Sequence, residues 1–288
     1  MDGTAAEATL PGSLDELARR LAAGGDSRLG RGLLAAVGQM YRLIDDLRLT
    51  ADELRAVIEF LTEVGHASDA RRQEFVLLAD VLGVSTLVED RNSICTDGAT
   101  PQALAGPFYR ADVPELADGA DVSRDGRGER LRVTLEVRDG AGAPVAQAMV
   151  EVWHANAEGL YENQEPDRQP EFNLRGRFRT DATGAVRFLT IRPRGLTLPE
   201  DGPVGRLMNR LGLRLVRPAH LHVRITAPGF ATLTTQVFDR DDPAIRHDAL
   251  FGVKPDLLAE FCPEGQAHRL NFTFILTLRQ FAGRPVHV

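Results

Sequence analysis

The clearest pattern in the chain is a two-residue alternation that begins near position 130. Leu131, Val133, Leu135 and Val137 fall on one parity, and Arg130, Arg132, Thr134, Glu136 and Arg138 on the other. A strand turns successive side chains to opposite faces, so this run predicts a strand with one buried face. Asp139-Gly140 reads as the turn that follows, and Val150, Val152 and His154 share a parity on the next strand. Further runs at 186–191, 221–225, 233–238 and 270–278 are bounded by turn signals such as Asp181-Ala182-Thr183-Gly184 and Pro228-Gly229. Short strands in this number predict a β-sandwich.

The first third has the helical period instead. Ser13-Leu14-Asp15-Glu16 has capping-box spacing, followed by Leu17 and Leu21 on one face. A helix is expected around 33–47. Thr50-Ala51-Asp52-Glu53 repeats the capping signal ahead of Leu54, Val57, Ile58 and Leu61. Another helix is expected from 69 to 82, with Gly83 placed to end it in a left-handed conformation. The segment 96–107, rich in Gly, Pro, Thr and Ala, reads as a connection. The expected architecture is mainly β with a helical N-terminal part: an α-helical domain over 1–105 and a β-sandwich over 106–288 that carries the chemistry.

Composition narrows the function. The 288 residues carry a formal charge of −7, and Lys254 is the only lysine. No basic stripe is present, which argues against a nucleic-acid partner. Cys95 and Cys262 are far apart and lack metal-binding spacing, so neither a disulfide scaffold nor a cysteine zinc site is expected. No run approaches a membrane span and no secretion signal is visible, so a cytoplasmic address is expected.

Candidate chemistry concentrates at Arg217-Pro218-Ala219-His220-Leu221-His222. Ala219, Leu221, Val223 and Ile225 alternate with His220, His222, Arg224 and Thr226, so both imidazoles leave one strand face two residues apart. That suits half of a metal site; the alternative is a pair of polar residues on a solvated face. The chain has only three tyrosines. Tyr41 sits in a helical stretch and reads as packing. Tyr161 lies in a loop just past a strand, where its phenol is a candidate hard oxygen donor for Fe(III) or a packing residue. His154 reads as packing beneath the site, and His66, His247, His268 and His287 have no motif around them.

The segments Leu104-Ala105-Gly106-Pro107-Phe108-Tyr109, Val150-Glu151-Val152-Trp153-His154-Ala155, Gly159-Leu160-Tyr161, Arg175-Gly176-Arg177-Phe178-Arg179-Thr180-Asp181, Arg217 to His222 and Leu233-Thr234-Thr235-Gln236 occur in an order and at spacings that resemble the intradiol ring-cleavage dioxygenases, the catechol and hydroxyquinol 1,2-dioxygenases. The stretch Arg72 to Ser85 is similar to the hydroxyquinol branch. The resemblance covers roughly 40–280. It implies a non-haem Fe(III) cofactor, with Tyr161, His220 and His222 as metal ligands. It implies that Arg217 stabilises negative charge during ring opening and that Gln236 orients the oxygenated substrate. The implied substrates are a small aromatic diol or triol and O2, and the implied product is a muconate. By similarity the pocket wall includes Leu77, Asp80, Gly106, Leu198 and Pro199, with Tyr109 beside it and Asp80 placed to accept a hydrogen bond from a third ring hydroxyl. Asp80 read on its own is equally a solvated helix residue or a partner of Arg71 or Arg72. A homodimer built on the helical part, with a lipid held between subunits, is also implied.

One position departs from the family. The pattern places a second tyrosine ligand after Gly195, and this chain has Leu196. The expectation is a metal with three protein donors, weaker hold on Fe(III) and no phenolate to receive a substrate proton. Glu200 or Asp201 could supply a carboxylate instead, giving a His-His-carboxylate set. Two other readings stay open: an iron oxygenase of the same fold with altered substrate or chemistry, and a non-catalytic binding protein on the same sandwich.

Overall fold

The computed structural model describes residues 12–24, 27–69, 72–93 and 96–279. Arg71, Cys95 and His287 lie outside the described residues. The chain divides into two compact units at Glu63/Val64.

The N-terminal unit contains α1 (Ser13–Ala23), α2 (Arg28–Leu47) and most of α3 (Ala51–His66). The capping box expected at Ser13 does not form: Gly12 is the N-cap, and the Ser13 hydroxyl lies 2.8 Å from the Tyr41 hydroxyl instead. The one at Thr50 does form. Glu53 N donates to Thr50 Oγ1 at 3.3 Å, and Thr50 N donates back to Glu53 Oε2 at 2.8 Å. No residue of α1 or α2 is buried, and Leu33, Met40, Leu43, Ile44 and Leu47 are exposed.

The second unit holds the sandwich and three more helices. The helix expected over 69–82 is shorter among the described residues, α4 (Glu74–Val81); ahead of it the Asp69 carboxylate accepts from Arg72 N at 2.7 Å, a side-chain bond that competes with helix. Gly83 is left-handed, with φ 72°, and also opens α5 (Val84–Asn92), a helix without a clear apolar stripe that the periodicity does not predict.

The strands are β1 (Arg130–Asp139), β2 (Met149–Trp153), β3 (Arg175–Arg179), β4 (Ala185–Ile191), β5 (Leu196–Thr197), then α6 (Pro203–Arg210), β6 (Val216–Arg217), β7 (His220–Thr226), β8 (Leu233–Asp239), β9 (Leu258–Ala259), β10 (Cys262–Glu264) and β11 (Ala267–Leu276). One sheet runs β10-β11-β1-β4 and the other β3-β2-β7-β8-β9, with a small β5-β6 ribbon. β1 pairs parallel with β11 and antiparallel with β4. The two sheets enclose the main core. Leu131, Val133, Leu135 and Val137 of β1 meet Val150 and Val152 of β2, Leu221, Val223 and Ile225 of β7, and Val237 of β8. Burying each such side chain contributes about 1.5–3 kcal/mol. β3, β5, β6, β9, β10 and α6 are absent from the alternation reading. Most are too short for periodicity to register, and β3 alternates arginines with Gly176 and Phe178.

Candidate functional site

The core consumes one parity of the five-stranded sheet. The other parity carries Glu151 and Trp153 from β2, Arg175 and Arg177 from β3, His220 and His222 from β7, and Gln236 from β8. Register aligns them: Trp153 pairs with His222 across β2–β7, and His222 with Gln236 across β7–β8. This face is not solvated. His220 is 2% exposed and His222 3%, so the reading as polar residues on an open strand face fails.

Three segments cover the face. The first, 104–109, passes over His222. Gly106 has φ 68°, and a Cβ there would lie 3.6 Å from His222 Cε1; the left-handed backbone is what favours glycine here. The second is the loop after β2. Gly159, with φ 81°, abuts the third segment so closely that a Cβ would meet the Gly195 carbonyl oxygen at 2.8 Å. Tyr161 follows, 2% exposed, with its ring stacked on Phe108 at 4.4 Å. The third segment carries Leu196, which pairs with Arg217 between β5 and β6 and packs against the Trp153–Ala155–Tyr161 cluster.

The imidazoles converge. His220 Nε2 and His222 Nε2 are 3.1 Å apart. His220 Nδ1 lies 2.7 Å from the Pro218 carbonyl oxygen. A carbonyl can only accept, so the proton sits on Nδ1 and the Nε2 lone pair faces His222 Nε2. Trp153 stacks on His222 at 4.8 Å and 7°, and the Tyr161 ring lies 6.3 Å from the His222 ring. Burial, reinforced by the Arg217 charge, pushes both histidines well below their ordinary pKa and keeps them neutral, as ligation requires. Burial raises the Tyr161 phenol, while the Arg217 and Arg175 guanidiniums pull it back. Two imidazole nitrogens bound at right angles to one ion at about 2.1 Å would be about 3.0 Å apart. The observed spacing, two neutral imidazoles with their Nε2 atoms turned to one point and a buried phenol near two guanidiniums fit a transition-metal ion with mixed nitrogen and oxygen donors.

Arg217 is 5% exposed. Its Nε donates to Asp248 Oδ1 at 2.9 Å, and its Nη2 to Asp248 Oδ2 at 3.2 Å and Gln236 Oε1 at 2.9 Å. Burial opposes the charge on Asp248, but Arg217 outweighs it and holds that carboxyl below the usual range. Asp248 also accepts from Gly252 N at 2.9 Å. Gln236 Nε2 donates to the Leu104 carbonyl at 2.8 Å and so ties β8 to the first covering segment. Arg175, 1% exposed, donates to Glu162 at 2.7 Å and to the Phe108 carbonyl at 2.6 Å, locking the Tyr161 loop to that same segment.

The sequence reading missed Asp248 and Glu162. Each is one acid among many in a charged loop, and only folding pairs it with a buried arginine. Arg175 could have been suspected from its motif.

The remaining expected residues are placed less centrally. Tyr109 donates to Glu151 at 3.2 Å and sits edge-on to Trp153 at 5.2 Å. His154 packs beneath, with both ring nitrogens engaged by Ala155 O at 2.8 Å and Thr190 Oγ1 at 2.7 Å. Leu77 and Asp80 lie three residues apart on α4, and both are half-buried. Burial raises the Asp80 carboxyl, and a Ser85 hydrogen bond and the Arg217 charge act against this. Arg72 is not its partner: Arg72 pairs with Glu74 and Asp201, each at 2.7 Å. Leu198 is half-buried and Pro199 exposed, on the stretch leading to α6. The buried Glu74 accepts from Val204 N at 3.1 Å, tying α4 to α6.

The suggested carboxylate donor is not there. Asp201 is 74% exposed in its pair with Arg72, and among the described residues no group of three His, Cys, Asp or Glu side chains could hold a metal. A separate surface cavity of about 310 Å³, lined by Arg240, Glu260, Cys262 and Arg269 among others, includes no candidate site residue.

The family model described as "Dioxygenase" matches residues 104–279, and "Catechol dioxygenase N terminus" matches 26–100. The chain belongs to the intradiol dioxygenase family. It is 44% identical to a hydroxyquinol 1,2-dioxygenase of Rhizobium sp. (strain MTP-10005) over 236 residues, which is 82% of this chain and 80% of that protein. It is 38% identical to a 6-chlorohydroxyquinol 1,2-dioxygenase of Cupriavidus pinatubonensis, covering 89% of this chain and 93% of that one. Among solved structures, hydroxyquinol 1,2-dioxygenase from Pseudomonas putida DLL-E4 superposes with a TM-score of 0.88 at 33% identity, over 92% of this chain and 97% of that one. Acinetobacter radioresistens catechol 1,2-dioxygenase gives 0.81 at 28% identity, over 96% and 95%. As an intradiol dioxygenase the protein is an enzyme, so the reading as a bare binding module falls. Members of this family generally depend on non-haem iron, and the residues here fit one.

Proposed function

We propose that this intradiol dioxygenase cleaves hydroxyquinol or a related catechol with O2 to a muconate-type product, at an iron ion held by Tyr161, His220 and His222. The observation that carries the reading is the 3.1 Å approach of two buried Nε2 atoms beside a buried phenol. The hydroxyquinol dioxygenase names of the relatives support the substrate class. Bound Fe(III) would draw electron density from a chelated diolate and so prepare the ring for oxygen.

The protein's own contribution is placement and charge. Arg217, held by Asp248 and Gln236, presents a fixed positive charge beside the histidines and stabilises negative charge as the ring opens. Gln236, opposite His222 in register, orients the oxygenated substrate. Gly106 lets the backbone cover His222 and exclude water. Leu196, Leu198, Pro199, Leu77 and Tyr109 form walls, and Asp80 accepts a hydrogen bond from a third ring hydroxyl.

A division at 105/106 into a helical part and a catalytic part, a cytoplasmic address, and a homodimer with a lipid between subunits belong to the same proposal. The exposed Leu33, Met40, Leu43, Ile44 and Leu47 of α2 support the dimer. Among the described residues no helix is long and apolar enough to cross a membrane.

The test is O2 uptake with hydroxyquinol and with catechol by iron-loaded protein, with the ring-opened diacid identified by mass. One O2 consumed per diacid formed is expected. Intact substrate in the presence of one retained iron per chain would overturn the proposed reaction.

A further inference from the structure

The number of phenolates available to the metal is fixed by a census of the chain. There are three tyrosines. Tyr41 belongs to the N-terminal helical unit, with its hydroxyl 2.8 Å from Ser13 Oγ. Tyr109 donates its hydroxyl proton to Glu151 at 3.2 and 3.3 Å, and its ring meets the edge of Trp153, whose face is stacked on His222. Burial and the neighbouring Glu151 charge both hold Tyr109 in its protonated form. Only Tyr161 is left. The carboxylates have other partners: Asp248 pairs with Arg217, Glu151 with Tyr109 and Arg177, the exposed Asp201 with Arg72, and Asp80 takes a hydrogen bond from Ser85. His154 has both nitrogens engaged. On the side where the Tyr161 loop meets β5, the chain presents the Leu196 side chain, packed into the Trp153–Tyr161 cluster.

We infer that this is a single-phenolate centre: one phenolate and two imidazoles hold the metal, and Leu196 forms a hydrocarbon wall beside it where no protein donor reaches. The inference rests on the ligand set proposed above. With one anionic donor, a trivalent ion keeps two units of its positive charge. Its hold on the protein is then weaker than a second phenolate would make it. The positions not filled by protein are free for water and for the two oxygens of a chelating diol. Protons released by that diol go to water or hydroxide, because no second phenolate is present to receive them.

The test uses full-length protein loaded with Fe(III), with iron quantified, and reads the phenolate-to-iron charge-transfer band and the phenolate vibrations by resonance Raman. Wild type is expected to show one set of phenolate modes. Tyr161→Phe is expected to abolish the band. Leu196→Tyr is expected to add a second set of modes, to raise band intensity per iron about twofold, and to slow iron loss to a chelator about tenfold or more. Leu196→Phe, which has the bulk of the ring without a donor atom, is the control and should add no second set of modes. A band that persists in Tyr161→Phe, or two sets of modes in wild type, would overturn the single-phenolate assignment. A spectrum in Leu196→Tyr identical to wild type, in folded iron-bearing protein, would overturn the placement of Leu196. Iron bound without any phenolate band in wild type would instead sink the ligand set on which the inference rests.

Discussion

The two faces of the five-stranded sheet each carry buried residues, yet the two sets follow different rules. On the inner face Val150, Val152, Leu221, Val223 and Val237 meet other hydrocarbon, and their contribution is hydrophobic and non-directional. On the outer face Arg175, His220, His222 and Gln236, with Arg217 of the β5–β6 ribbon beside them, are also nearly inaccessible, but each has a specific partner. A buried polar group left without its partner costs about 1–3 kcal/mol, so a substitution that strands one of these pairs is costly. The inner face therefore governs stability, and the outer face governs placement of charge and donors.

Substitutions on either side can break that division. The largest effect on turnover is expected from His220→Ala or His222→Ala. Each should release iron and lower kcat/KM about a thousandfold or more, while the apoprotein keeps most of its thermal stability. Metal analysis beside a melting curve checks both halves.

Next comes the core that the inner face packs against, represented by β1 of the four-stranded sheet. Leu135→Ala should cost about 2–5 kcal/mol of unfolding free energy, measured by denaturant titration, with activity per folded molecule unchanged. Activity falling in step with His222→Ala would show that the faces are not separable.

A pH effect of similar size is expected at His154, which follows β2 and is buried against Thr190 of β4. Its pKa falls from 6.5 to about 4, chiefly through burial. The folded protein keeps it neutral while the unfolded chain takes a proton below pH 6.5. Stability is therefore full above about 6.5 and falls as the pH drops toward about 4, by on the order of 3 kcal/mol. Apoprotein stability measured across that window should show the slope, and His154→Gln should reduce it, the remainder coming from His220 and His222, which burial also lowers.

Asp248→Asn keeps the shape but weakens the hold on Arg217. The expectation is a loss of about tenfold to a hundredfold in kcat with KM little changed and iron content intact. A loss of iron would place Asp248 among the groups that support the metal. The smallest effect is expected at Asp80→Asn, which should reduce the preference for a triol over a diol by about tenfold, read as the ratio of the two kcat/KM values.

Much of this arrangement was legible in the sequence because two periodicities coincide. The alternation that defines β7 also puts both histidines on one face, so strand and metal pair are a single signal. The same holds for Trp153 and Gln236, whose parities match His222 once the strands pair. The burial of that face was not legible. It depends on the segments 104–109, 155–161 and 195–198, which have no period and are held by glycine backbone geometry and the Arg175–Glu162 pair. Asp248 was invisible for the same reason: its partner is thirty-one residues away in the chain. The short ribbon of Leu196 with Arg217 and the helix α6 were also missed, since two strand residues carry no alternation and α6 begins at a proline that reads as a break.

The convergence of Tyr161, His220 and His222 on one ion is tested most directly by a crystal structure of the iron-loaded protein, with the metal located by anomalous scattering at the iron edge. One iron is expected within bonding distance of Tyr161 Oη and both Nε2 atoms, with Leu196 carbon facing its open side. Iron located elsewhere, or bound by the histidines with the Tyr161 hydroxyl turned away, would contradict the account.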